Sequence, residues 1–189
     1  LEVLNTQPTF ILDGGHNPQC AEALAQSLKM LLPGKKAVVL IGVLADKDYG
    51  SIIDYVMPYA SEFVCVSPLS GRRLPADDLK RFLEKRGAAA VPCDTIESGV
   101  LTALEHAGEG GCVVAFGSLY MAGAVRTCFP EAYRKWLRKS KINARNALST
   151  EESIAAGEKI AENIADSDMF KKAKTVLIYA HARGEAPID

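Results

Sequence analysis

Residues 37–44 read AVVLIGVL, an unbroken apolar run that neither a half-exposed strand nor an amphipathic helix would carry. Such a run suits a strand buried on both faces, and that burial requires helices on each side of the sheet, as in parallel sheets. Shorter runs recur at Phe10–Leu12, Glu62–Ser67 (EFVCVS), Ala88–Val91 and Gly111–Phe116 (GCVVAF). Between them lie segments of helical period. Residues 18–32 align Ala21, Leu24, Leu28 and Leu31, residues 50–60 form a second segment, and Pro75–Arg86 turns Leu79, Phe82 and Leu83 inward. Residues 95–106 follow Asp94, which with Glu97 has the spacing of a capping box. Five strands separated by helices predict an α/β, Rossmann-like three-layer domain with a mostly parallel sheet.

The loop that follows the first of these strands carries the most chemistry. In FILDGGHNP, Asp13 ends the strand, at the edge where open α/β sheets bind ligands. Gly14 and Gly15 let the backbone bend and approach a ligand closely. Asn17 is a preferred N-cap and Pro18 suits the first helical position, so the orphan N–H groups of that helix can attract an anion. The pattern predicts a phosphate cradle with His16 as a donor; the competing reading is a turn whose glycines serve chain reversal alone. Asp46-Lys47-Asp48, after the second strand, suits either Mg2+-phosphate or an amino-acid substrate, or else a solvated cap for the next helix. In Arg72-Arg73, after the third, one guanidinium, assigned to Arg73, suits a carboxylate or phosphate clamp, against the alternative of two surface charges. The small residues of Gly117–Gly123 suit close strand–helix packing.

Composition narrows the partners. A net charge of -1 gives no footprint for nucleic acid or an anionic membrane. No apolar run approaches the roughly 20 residues that span a bilayer. The five cysteines are scattered, without C-x-x-C spacing, and read as thiols of a cytoplasmic protein rather than as disulfides or a zinc site. No G-x-x-x-x-G-K-[ST] loop is present. The texture changes at Pro130: from there to Ala147 six Lys or Arg face one acid, Glu131. Ser149 and Glu152 then form a capping box for a helix bearing Ile154, Gly157, Ala161 and Ile164, and Thr175–Tyr179 reads as a strand. The expected organisation is therefore one domain over 1–129 and a truncated helical/α-β extension over 130–189. The apolar strand at 175–179 is expected to pair with another copy, giving a homodimer, or to dock on the first domain, the alternative being a partly disordered tail. Opening at Leu1 in mid-pattern, the sequence is expected to be a piece of a longer chain.

The strings ILDGGHNP, GVLADKD and VVAFGSLYMAGAVR, in that order, resemble the C-terminal domain of folylpolyglutamate synthase/dihydrofolate synthase, within the Mur ligase superfamily. Peptidoglycan Mur ligases and cyanophycin synthetase share the Gly-His-Asn-Pro string, and an amino-acid ligase of that type is one alternative. A non-catalytic nucleotide- or partner-binding module is another. The resemblance implies ATP as cosubstrate, with Asp13, His16 and Asn17 contacting it, and Gly15 stands where the family motif has Ala. It places Asp46, Lys47 and Asp48 near the incoming glutamate. It also implies a folate carboxyl activated as an acyl phosphate, with the P-loop and Mg2+ ligands elsewhere in the whole protein. The isolated chain is accordingly expected to be inactive. RKWLRKSKINARNALSTEE and VLIYAHARGEAPID resemble the N-terminal part of 5-formyltetrahydrofolate cyclo-ligase. That resemblance puts Arg134 and Arg138 on ATP and Ala180 and Glu185 on the folate. The two together imply a fused folate enzyme whose ligands are ATP, folate and glutamate.

Overall fold

The computed structural model describes residues 1–175. The chain folds as two compact units, the first ending at Trp136 and the second beginning at Leu137.

In the first unit the elements run β1 (Glu2–Thr6), β2 (Thr9–Leu12), α1 (Pro18–Leu31), β3 (Ala37–Ile41), α2 (Tyr49–Val56), β4 (Ala60–Cys65), α3 (Ala76–Glu84), β5 (Ala90–Pro92), α4 (Ile96–Ala107), β6 (Cys112–Phe116) and α5, which extends over Leu119–Asn146. The sheet order is β1-β2-β6-β3-β4-β5. All neighbours are parallel except β1, which runs antiparallel to β2. The α/β fold with a mostly parallel sheet is thus the one the sequence predicts. Every residue of β3 and β6 is buried, as their unbroken apolar runs require.

The pleat sends alternate side chains to opposite layers. Ile11, Val39, Ile41, Phe63, Cys65, Val114 and Phe116 join Leu24 and Leu28 of α1, Ile52 and Ile53 of α2 and Leu79 and Leu83 of α3 in one core. On the other face α4 lies so close that a Cβ at Gly99 would sit 2.4 Å from Val66 Cγ1, which accounts for glycine within that helix. The ring of Phe129 on α5 packs against Phe10 of β2 at 4.7 Å between centroids. Cys65 lies in the first core, where burial pushes its thiol up to about 12. Iodoacetamide at pH 8 is therefore expected to leave Cys65 unmodified in the folded chain, and peptide mass spectrometry showing it labelled as fast as half-buried Cys20 would contradict the burial.

Three expectations change. The hairpin strand β1 is absent from the sequence reading, because an edge strand with Val3 at 59% exposure has no inward-facing pattern to detect. The expected break at Pro130 does not occur: α5 runs through it, and Phe129, Ala132 and Trp136 are all buried, so the first unit reaches past 129. The box ahead of α4 is formed by Thr95 and Ser98, while Glu97 instead meets Lys135 of α5 at 2.7 Å.

In the second unit, Ser149 and Glu152 form the expected box and α6 spans Thr150–Asp166, followed by the single turn-and-a-half of α7 (Asp168–Lys172). The predicted strand at 175–179 falls, beyond its first residue, outside the described residues, as do Ala180 and Glu185.

Candidate functional site

Strand β6 inserts between β2 and β3, so the loop after β2 and the loop after β6 meet at the carboxyl edge of the sheet. A backbone bond joins them, Gly117 N–H donating to Gly15 O at 3.1 Å. Gly117 has φ +119, and a Cβ there would lie 2.8 Å from Gly42 O, so neither the angle nor the space admits a side chain. Leu119, in the first turn of α5, lies against Gly14, where a Cβ would come within 2.8 Å of Leu119 Cδ2.

These loops wall a cavity of about 390 Å³ lined by Asp13, Gly14, Gly15, His16, Cys20 and Leu119, with Leu1 and the apolar face of α1 behind them. Asn17 caps α1 as expected, its side chain accepting from Cys20 N–H at 2.9 Å. Asp13 Oδ1 accepts from Gly15 N–H at 2.7 Å, and Oδ2 lies 3.2 Å from the α-amino group of Leu1. The side chain is 17% exposed. His16 bends back so that Nδ1 is 3.4 Å from Gly14 O.

The lining bears on what the cavity takes. It includes a carboxylate and apolar walls, but no Lys or Arg among the described residues that form it. A polyphosphate beside Asp13 would meet a like charge whose counter-charge among the described lining residues is the α-amino group of Leu1. A hydroxyl donor would instead find an oriented acceptor, with apolar surface for the flat or alkyl part of the same ligand. The lining thus adds an acceptor and apolar surface beside the loop expected to cradle phosphate. No three His, Cys, Asp or Glu side chains among the described residues come together as a metal site.

A second cluster sits on the same edge. The loop after β3 and the loop after β4 are laced together, Ala45 N–H donating to Arg72 O at 2.8 Å and Leu74 N–H to Val43 O at 3.0 Å. Asp46 pairs with Arg72 at 2.7 Å, both side chains about half-exposed. Asp48 caps α2 through Ser51 N–H, and hydrogen bonding to Ser51 holds its carboxyl below the usual range. Lys47 is exposed. Arg73, the expected clamp, donates to Ser70 O at 3.3 Å, and its neighbour Arg72 is the one that joins the acidic loop. No signal in two adjacent arginines distinguishes them. The solvated-cap reading thus accounts for Asp48, and Asp46 serves as a tie between loops.

Arg134 and Arg138 are exposed on α5, and Arg134 is paired with Glu131 one turn earlier at 2.7 Å. A mostly parallel sheet whose loops gather at its carboxyl edge defines an α/β domain of the class that places ligand sites there. The chain belongs to the Mur ligase family, matching its glutamate ligase domain over residues 1–119. It is 32% identical over 122 residues to a dihydrofolate synthase/folylpolyglutamate synthase of Haemophilus influenzae, covering 62% of this chain and 28% of that protein. A probable bifunctional folylpolyglutamate synthase/dihydropteroate synthase of Haloferax volcanii is 27% identical over 158 residues, 84% of this chain and 19% of its own length. Among solved structures, the folylpolyglutamate synthase of Mycobacterium tuberculosis complexed with ADP superposes with a TM-score of 0.63 at 27% identity, over 68% of this chain and 31% of that one. The chain spans less than a third of the length of each.

Proposed function

We propose that this chain is the glutamate-ligase domain of an ATP-dependent enzyme that extends a folate with glutamate. The observation that carries the reading is the cavity at the junction of the β2 and β6 loops, with the Asp13 carboxylate at its wall. Asp13 accepts hydrogen bonds from nucleotide ribose, while Leu119 and the face of α1 supply apolar surface beside it. ATP, when bound, supplies the phosphoryl group that activates the folate carboxyl for attack by the glutamate amine. The glutamate lies by the laced 44–48 and 67–75 loops, where Lys47 and Arg73 supply positive charge. Mg2+ and the phosphates are held by the remainder of the whole protein, so the isolated chain adds no glutamate. In the intact protein, Asp13→Ala is expected to raise the KM for ATP at least tenfold, the effect of losing about 1.4 kcal/mol of charge-assisted hydrogen bonding. Unchanged kinetics with tetrahydropteroyl-glutamate, ATP and glutamate would remove the reading, and turnover of UDP-muramyl substrates in their place would assign the chain to cell-wall ligases.

For residues 130–189 we propose the N-terminal part of a second enzyme, a 5-formyltetrahydrofolate cyclo-ligase fused to the first, with Arg134 and Arg138 as its ATP contacts and Ala180 and Glu185 as its folate contacts. The exposed basic face of α5 supports this, and the name of the Haloferax relative likewise joins two enzymes in one chain. ATP-dependent cyclisation of 5-formyltetrahydrofolate by the intact protein tests it, and its absence refutes it. Sedimentation of the present chain as a monomer would likewise refute homodimer formation through residues 175–179.

A further inference from the structure

We propose that Arg72 is a positioning residue for Lys47: by holding Asp46 it keeps the ammonium of the next residue open to a carboxylate of the incoming amino acid. The inference rests on the placement of glutamate proposed above. Lys47 lies between two acids, and each of them is taken by another partner. Arg72 Nη1 donates to Asp46 Oδ2 at 2.7 Å, and Asp48 accepts from Ser51 N–H at 3.1 Å where α2 begins. Lys47 Nζ forms no hydrogen bond or ion pair among the described residues. Its backbone, by contrast, is fixed on both sides. The Lys47 N–H donates to Leu44 O at 3.3 Å, and the Lys47 carbonyl accepts from Tyr49 N–H at 2.8 Å. Tyr49 in turn rests edge-on against Phe82, with 4.8 Å between centroids. An anchored turn thus carries one cation whose acidic neighbours are both occupied.

The guanidinium of Arg72 does not itself build the loop. The bonds that lace the two loops, Ala45 N–H to Arg72 O and Leu74 N–H to Val43 O, are main-chain bonds that need no side chain at residue 72. Both members of the Arg72–Asp46 pair are about half-exposed, so truncating one leaves no buried charge. Truncation of Arg72 therefore keeps the path of the loop and changes the partner of Asp46. The adjacent cation, Arg73, is engaged at Ser70 O at 3.3 Å. The next cation along the chain from Asp46 is then Lys47. A carboxylate released beside that ammonium competes with the ligand for it and repels an amino acid that carries two carboxylates of its own. With Arg72 in place the acids and bases of this cluster balance, and without it an acid is in excess.

The test is steady-state kinetics of the intact protein. The KM for glutamate and the KM for ATP are measured for the natural sequence, Arg72→Ala, Arg72→Lys, Lys47→Ala, and Arg72→Ala combined with Asp46→Asn. Arg72→Ala is expected to raise the KM for glutamate about two- to fivefold, the size of an exposed charge interaction, and to leave the KM for ATP where it was. Arg72→Lys is expected to restore the natural value, because the tie is a single Nη1–Oδ2 bond, which an ammonium can replace, rather than a two-point fork. The combined variant is expected to recover as well, since an amide at residue 46 no longer competes for Lys47. A loss that persists in Arg72→Lys or in the combined variant overturns the inference, because Arg72 then acts on glutamate or on the loop directly. No loss in Arg72→Ala, while Lys47→Ala raises the KM for glutamate, also overturns it and leaves the placement of glutamate standing. A KM for glutamate indifferent to Lys47→Ala removes that placement and the inference together.

Discussion

Trp136→Ala is expected to destabilise the first unit by about 3–5 kcal/mol, the range for truncating a buried aromatic. Trp136 is 5% exposed and stacks on Tyr133 at 5.6 Å, which stacks on Phe129 at 5.7 Å, which in turn packs on Phe10 of β2. Removing the indole leaves a void at the end of this row of rings. Tyr133, whose hydroxyl donates to Gln7 O at 3.2 Å, loses the surface that orients it. In a unit of this size the loss corresponds to a melting temperature lower by roughly 10 °C, read by far-UV circular dichroism. A domain ending at residue 129 would not register the substitution at all, so an unchanged melt would restore the boundary suggested by composition.

Gly117→Ala is expected to cost about 2–6 kcal/mol, combining a backbone angle that L-residues rarely adopt with overpacking against Gly42 O. Urea denaturation should show a sharply lower midpoint. Gly123→Ala provides the control with the opposite sign. That glycine lies within α5, where a Cβ would meet nothing within 4 Å, so the change should stabilise the helix by about 0.5–1 kcal/mol. If both substitutions destabilise equally, φ and close approach are not what demand glycine at 117.

Much of this was legible in the chain because burial on two faces leaves an unmistakable imprint. AVVLIGVL and GCVVAF could only be central strands, and β3 and β6 are the two strands buried at every residue. The Asn17-Pro18 cap likewise follows from local chemistry and is present as written. What escaped detection depended on tertiary partners. Strand β1 gains its ladder only from β2, and Val3 and Thr6 face solvent. The change of texture at Pro130 reads as a domain boundary, yet α5 continues through it, with Phe129 packed on Phe10 of β2 and Ala132 buried. Glu97 has the right spacing to cap, but Lys135 from α5 captures it. The Asp13 loop was found by its residue types. Its electrostatic character was not, because that depends on which side chains converge from α1 and α5, and none of them is a cation.

The place of β6 has a consequence for synthesis on the ribosome. Strands β2 and β3 are far apart in the sheet until β6, the last of the six to be made, is threaded between them. A nascent chain halted before Cys112 holds two open edges and no seam to join them, and such edges invite association with other chains. The residues that line the cavity are thus assembled in one late event: the strand that completes the sheet also delivers Gly117 to Gly15 and Leu119 to Gly14.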